Sequence, residues 1–175
     1  MNRLSKNYYS IYKKYWNIKN KLYKNFNHIE PDEDGLYNGL ILHHTQYSFL
    51  WRLSWLLLSS GMFAIYRGYY DLAAAPLGIL ITSLNYWRKP DYSWRRYLDI
   101  GYVHIGLIYQ SIRAYNAEYC IPYYTILSIG IICYPISVYY HKKNSWKSTI
   151  LHGMLHICGN ISNFILYSGE IKNLL

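Results

Sequence analysis

Apolar residues in this chain gather into five long blocks: Phe49 to Tyr66, Leu72 to Trp87, Leu98 to Ala114, Cys120 to Tyr140 and Ile150 to Tyr167. Each approaches the length at which a helix crosses the hydrocarbon core of a bilayer, the second and third only with help from their aromatic and polar flanks. None has the polar stripe that a soluble surface helix turns to water, and the connections between them are short and rich in Arg, Lys, Tyr and Trp. The pattern predicts an all-α fold, a polytopic integral membrane bundle of five transmembrane helices within residues 36–175.

Residues 1–35 follow another rhythm. Leu4, Tyr8, Ile11, Tyr15, Ile18, Leu22 and Phe26 recur every three or four positions, with Lys6, Lys13, Lys14, Lys19, Lys21 and Lys24 between them and no acid before Glu30. This is the signature of a basic amphipathic helix, which suits either the surface of an anionic cytosolic leaflet or the loops of its own bundle. Glu30-Pro31-Asp32-Glu33-Asp34-Gly35 ends the pattern. A further helix is expected to start near Leu36 and run through His43 and His44 into the first span.

Composition agrees with the blocks once it is divided among them. The chain is 52% hydrophobic and 15% charged, which excludes a disordered protein, and its mean hydropathy of −0.10 averages a polar tail with apolar blocks. Twenty-three Tyr and six Trp suit membrane interfaces. The net charge of +9 fits nucleic acid or an anionic membrane surface, and its distribution decides for the membrane. If the five blocks alternate direction, one side collects the basic tail, the loop with Arg88, Lys89, Arg95 and Arg96, and the loop with Lys142, Lys143 and Lys147. The other side holds only Arg67, Arg113 and Lys172. That asymmetry places the N-terminus in the cytosol and the C-terminus across the membrane, with anionic lipid as the expected partner and no nucleic acid. No signal peptide pattern opens the chain, so insertion is expected to begin at an internal span. Cys120, Cys133 and Cys158 suggest neither a disulfide framework nor a Cys-based zinc site. The abundance of Lys, Asn, Ile and Tyr resembles proteins of AT-rich genomes, large DNA viruses among them.

Ionisable groups within spans are costly and therefore mark candidate sites. Arg52, Asp99, His104, Arg113, His152 and His156 are such groups, and Ser83, Asn85, Gln110, Asn160 and Asn163 accompany them. Arg113, near the outer end of its span, is expected to snorkel. In the alternating topology most of the others share the cytosolic half. At about 100° per residue, His152, His156, Gly159, Asn160 and Asn163 form one face that must look inward, whereas Asp99 and His104 point well apart. Two histidines four residues apart can grip one metal ion, and a third ligand would complete a zinc site that activates water. The same histidines can instead be a neutral, hydrogen-bonded seam that fixes helix packing, and Asp99 can be an ion-pair partner of Arg52, Arg95 or Arg96.

In chain order, Ser83-Leu84-Asn85-Tyr86-Trp87, Leu98-Asp99 and His152-Gly153-Met154-Leu155-His156 resemble the motif series of the CREST membrane hydrolases, the superfamily of alkaline ceramidases and of progestin and adipoQ receptors. The resemblance covers some 25 residues and implies a zinc ion near the cytosolic face and hydrolysis of lipid amides. Trp87 stands where that family has its first zinc histidine, so a substitute ligand is required, with His44 and His104 as candidates. The family usually has seven spans, against five here.

Two functions follow from these residues. One is a structural or interaction membrane protein whose His, Asp and Ser side chains form a buried polar layer near the cytosolic face. The other is a zinc-dependent hydrolase of lipid amides or esters, with His152 and His156 as ligands, Asp99 orienting or deprotonating water, and Ser83 steadying the oxyanion. A conducting path is disfavoured because the polar groups stop midway.

Overall fold

The computed structural model describes residues 39–141 and 146–172, all of them helices and short connections apart from one isolated bridge, Ala117 to Ile171. All but Gly39 belong to the unit Leu40–Leu175. The basic tail, with Lys6, Lys13, Lys14, Lys19, Lys21 and Lys24, lies outside the described residues, as do Lys142 and Lys143.

Six helices are described: α1 (His44–Ser54), α2 (Leu56–Tyr66), α3 (Tyr70–Trp87), α4 (Trp94–Ala114), α5 (Cys120–His141) and α6 (Trp146–Ser168). The first two make one rod of 23 residues, His44–Tyr66. Its ladder is interrupted at Trp55, whose N–H donates to the Arg52 carbonyl three residues back while the Ser54 hydroxyl takes up the Leu50 carbonyl. The all-α expectation therefore holds, and the five apolar blocks coincide with five rods. Two of these, His44–Tyr66 and Cys120–His141, are long and apolar enough by themselves to cross a membrane.

The rods outrun the apolar blocks at several ends. The third begins at Trp94 and the fifth at Trp146, because aromatic and basic residues continue a helix that an apolar count leaves early. The expected helix through His43 is corrected. His43 is extended, with φ −63° and ψ 151°, and its backbone N–H donates to Gln46 Oε1 at 3.2 Å, so the helix starts at His44.

The α1–α2 rod is the spine of the bundle. It packs against α3 and against α6, with α4 paired to α3 on one side and α5 paired to α6 on the other. The α5–α6 pair is the most intimate. A Cβ placed on Gly130 would lie 2.9 Å from the Cβ of Cys158, so glycine is what lets these two backbones approach. Gly153 plays the same part between α6 and α1, where a Cβ would meet Leu53 at 2.8 Å. By contrast α4 and α5, consecutive in the chain, touch only sparsely.

Where α2 turns into α3, α4 into α5, and α6 ends, a cluster around Leu72, Ala114, Tyr123, Leu166 and Tyr167 closes the bundle. Polar ties secure this end. Tyr69 Oη donates to the Gly169 carbonyl at 2.8 Å, the Glu118 N–H to the Glu170 carbonyl at 2.9 Å, and Arg113 Nε to Asp71 Oδ2 at 3.0 Å. Arg113 therefore does not snorkel: its side chain is 8% exposed and lies in an ion pair with Asp71, which also accepts from Tyr109 Oη at 2.7 Å.

Candidate ligand cavity

The sparse α4–α5 contact leaves a cavity of about 480 Å³ toward the opposite end of the bundle. Its α4 wall carries Arg96, Ile100, Val103, His104 and Leu107, and its α5 wall Leu127, Ile131, Tyr134, Val138 and His141. Both runs step by three or four residues, so each helix turns a stripe toward the gap. His104, Ile131, Tyr134 and Val138 are exposed as well as lining, which locates the opening along this seam. From α3 come Ser83 and Trp87, and from α6 Thr149, His152, His156 and Asn163.

Asp99 projects from the first half of α4 onto α3. Its Oδ1 accepts from Ser83 Oγ at 2.7 Å and from Thr82 Oγ1 at 2.9 Å, and the carboxyl is buried. Ser83 and Asp99 are thus brought together at the cavity wall, while the ion pair considered for Asp99 does not form: Arg95 binds Asp91 at 2.7 Å. Thr82 was not anticipated. With its one proton directed at Asp99, Ser83 offers lone pairs rather than a donor, whereas steadying an oxyanion needs a donor.

His152 and His156 both line the cavity, with ring centroids 5.4 Å apart and ring planes inclined by 49°. Trp87 sits edge-on to His152 at 5.1 Å, and Tyr134 closes from α5 at 5.8 Å. The candidate third ligands do not converge on this pair. The His104 ring turns back along its own helix, Nδ1 lying 2.7 Å from the Ile100 carbonyl oxygen, and the His44 ring packs on Tyr47 and approaches Ser48 Oγ. Among the described residues no three His, Cys, Asp or Glu side chains stand close enough to share an ion. Among the described residues the donor set stops at two histidines, and the position resembling a first ligand is an indole that cannot coordinate. The described residues supply two of the three ligands that a zinc site of this kind needs.

Near the α3–α4 connection, Arg96 is the one Arg or Lys and Asp99 the one acid of the cavity among the described residues. The Arg96 guanidinium stands over the rings of Tyr92 and Tyr97, at 5.3 and 6.0 Å from their centroids. Arg96, His141, Thr149 and Tyr134 were missed as site residues because the sequence reads them as loop charge, helix ends and interface aromatics.

The chain matches no protein-family model, no curated protein and no solved structure.

Proposed function

We propose that this chain is a multi-pass integral membrane protein, five spans with the N-terminus cytosolic and the C-terminus across the membrane, and that it acts by binding. In this proposal an amphiphilic molecule occupies the cavity and reaches it sideways from the bilayer along the α4–α5 seam, while the lysines of the tail engage anionic lipid of the inner leaflet.

The observation that carries the proposal is the inverted polarity of the bundle. Gln46, Asp99, Gln110, Arg113, Asn160 and Asn163 are buried, whereas Ile81, Ile105, Ile108, Ile121, Ile132 and Ile150 are more than half exposed. A water-soluble bundle minimises its free energy the other way round, and isoleucine-covered helices with hydrogen-bonded polar groups between them are what a hydrocarbon solvent selects. Because the cavity opens between two such helices, its mouth faces that solvent.

The test has two parts. Reporters fused before Met1 and after Leu175 should read cytosolic and non-cytosolic; a cytosolic reporter at the C-terminus sinks the topology. A photoreactive amphiphile in the bilayer should label α4 and α5 near Val103 and Val138, and labelling confined to the outer isoleucines would sink the cavity as a binding site.

A second reading, the lipid amide or ester hydrolase, is favoured by one observation: Ser83, Asp99, His152 and His156 line the same cavity. It ranks second because the donor set is incomplete. Stoichiometric zinc in the purified protein, lost in the His152→Ala, His156→Ala variant, would reverse the ranking.

A further inference from the structure

We infer that the cavity takes a single-chain amphiphile with an oxyanion headgroup, the headgroup oxygens received by Arg96, Trp87 and Thr149 and the chain lying toward Leu107 and Leu127. The inference rests on the reading of the cavity as a site reached from the bilayer, and adds the chemistry of what enters it.

Three helix ends meet at the head of the cavity. Trp87 is the last residue of α3, Arg96 is in the first turn of α4, and Thr149 is in the first turn of α6. Trp87 is 6% exposed and Thr149 1% exposed, and Trp87 Nε1 and Thr149 Oγ1 are buried with no hydrogen-bond partner among the described residues. An indole N–H can only donate, and a guanidinium can only donate. Neither nearby acid forms an ion pair with Arg96: Asp91 is paired with Arg95, and Asp99 Oδ1 accepts from Thr82 and Ser83. This end of the cavity therefore presents an indole N–H and a hydroxyl without described partners beside a guanidinium without a carboxylate partner. The complementary group is an oxyanion, a carboxylate or a phosphate ester, which a guanidinium fork grips through two parallel hydrogen bonds.

Away from these groups the wall becomes Leu57, Ile79, Leu107, Leu127 and Ile131. A volume of about 480 Å³ belongs to the class of small-molecule pockets and suits one chain with its head, not the two chains of a bilayer lipid. Head and tail are thereby ordered along the bundle, with the charged end at the level of the α3–α4 connection.

Three photoreactive probes with the same sixteen-carbon chain separate the possibilities when added to the full chain in nanodiscs: a carboxylate, a lysophosphatidate and an uncharged alcohol. The anionic probes should bind about tenfold more tightly than the alcohol, as expected for a charge-assisted hydrogen bond. Arg96→Gln should abolish the preference, Arg96→Lys should keep part of it, and Arg95→Gln, which makes the same change in net charge, should leave it intact. Which anionic probe binds better identifies the oxyanion. Equal binding of alcohol and anions, or equal losses in Arg95→Gln and Arg96→Gln, overturns the headgroup assignment while leaving the cavity reading in place. Binding of none of the three overturns the cavity reading itself.

Discussion

Asp71→Ala is the sharpest test of how the closed end of the bundle is held. Asp71 lies in the first turn of α3, just before the apolar block that starts at Leu72, and its Oδ2 accepts from Arg113 Nε at 3.0 Å and Tyr109 Oη at 2.7 Å. Deleting the carboxylate removes two charge-assisted hydrogen bonds, each contributing about 1.5–3 kcal/mol, and leaves the Arg113 guanidinium 8% exposed without its counter-charge. The carboxylate is itself 44% exposed, so water screens the pair and replaces part of what is lost. Arg113 also keeps its bond to the Lys172 carbonyl at 3.2 Å. A net loss of about 2 kcal/mol follows, which for a chain of this size lowers Tm by about 4–8 °C. Asp91→Ala, which breaks the loop pair with Arg95, should cost under about 1 kcal/mol. Thermal unfolding of parent and variants in one detergent reads the difference. An Asp71→Ala variant within 1 °C or so of the parent, or an Asp91→Ala variant that loses more, refutes the argument.

Acid provides an independent measurement of the same contact. Burial pushes the Asp71 carboxyl up, but the Tyr109 hydroxyl, the Arg113 charge and backbone N–H groups outweigh it and hold the group below its ordinary value of 3.8. A carboxylate depressed on folding contributes stability that is fully present above its unfolded pKa and is lost as pH falls through the folded pKa. The parent should therefore shed this contribution below about pH 4, and Asp71→Asn, less stable at neutral pH, should converge on the parent there. A constant gap between the two from pH 7 to pH 3 would show that the carboxylate is not the stabilising group.

Glycine substitutions should have opposite signs: Gly130→Ala forces a Cβ to 2.9 Å from Cys158 and should destabilise by about 1–3 kcal/mol, whereas Gly101→Ala meets nothing within 4 Å and should stabilise by a few tenths to about 1 kcal/mol, both read by thermal unfolding. Ser83→Ala and Thr82→Val should each cost about 1–3 kcal/mol by removing a donor from buried Asp99, and a double-mutant cycle should give a coupling above about 0.5 kcal/mol because both act on one oxygen. Val138→Trp, at a position 52% exposed on the rim of the seam, should cut photolabelling of the cavity severalfold while leaving Tm near the parent's; unchanged labelling would mean that access lies elsewhere.

The rods were legible because each carries a long apolar block, and an unbroken apolar block survives any ignorance of its neighbours. Their ends were less legible, since Trp94 and Trp146 extend α4 and α6 through residues that a hydropathy count discards. Ser83 and Asp99 were found from their order and shared depth, but Thr82 was not, because its contact depends on how α3 is rotated against α4. The Asp71–Arg113 pair spans 42 positions, and Arg113 taken alone reads as a cation reaching for the interface. Trp87 and Thr149 carried no signal at all as polar atoms without partners, since that is a property of the packed interior and not of a motif.

The place of the opening, by contrast, follows from the sequence once the packing is known. Three polar residues of α4 turn to other helices, Asp99 to α3, Arg113 to Asp71, and Gln110 to Tyr167 of α6, which leaves Arg96 and His104 on the side of the gap. Helix α5 has no acid and no Arg or Lys, and its closest backbone approach, at Gly130, is to α6. The two are joined near their connection by Tyr124 Oη donating to the Ser111 carbonyl, after which they face each other through Val103, Leu107, Ile131 and Val138. Branched aliphatic side chains across a sparse contact neither hydrogen-bond nor interdigitate as closely as the glycine-mediated α5–α6 pair. In a hydrocarbon solvent such a seam separates at little cost, because lipid chains satisfy its side chains as well as the opposite helix does. That seam is therefore among the sparsest helix contacts of the bundle, and if it is the route of entry, covalently joining α4 to α5 across it should block ligand uptake without disturbing the fold.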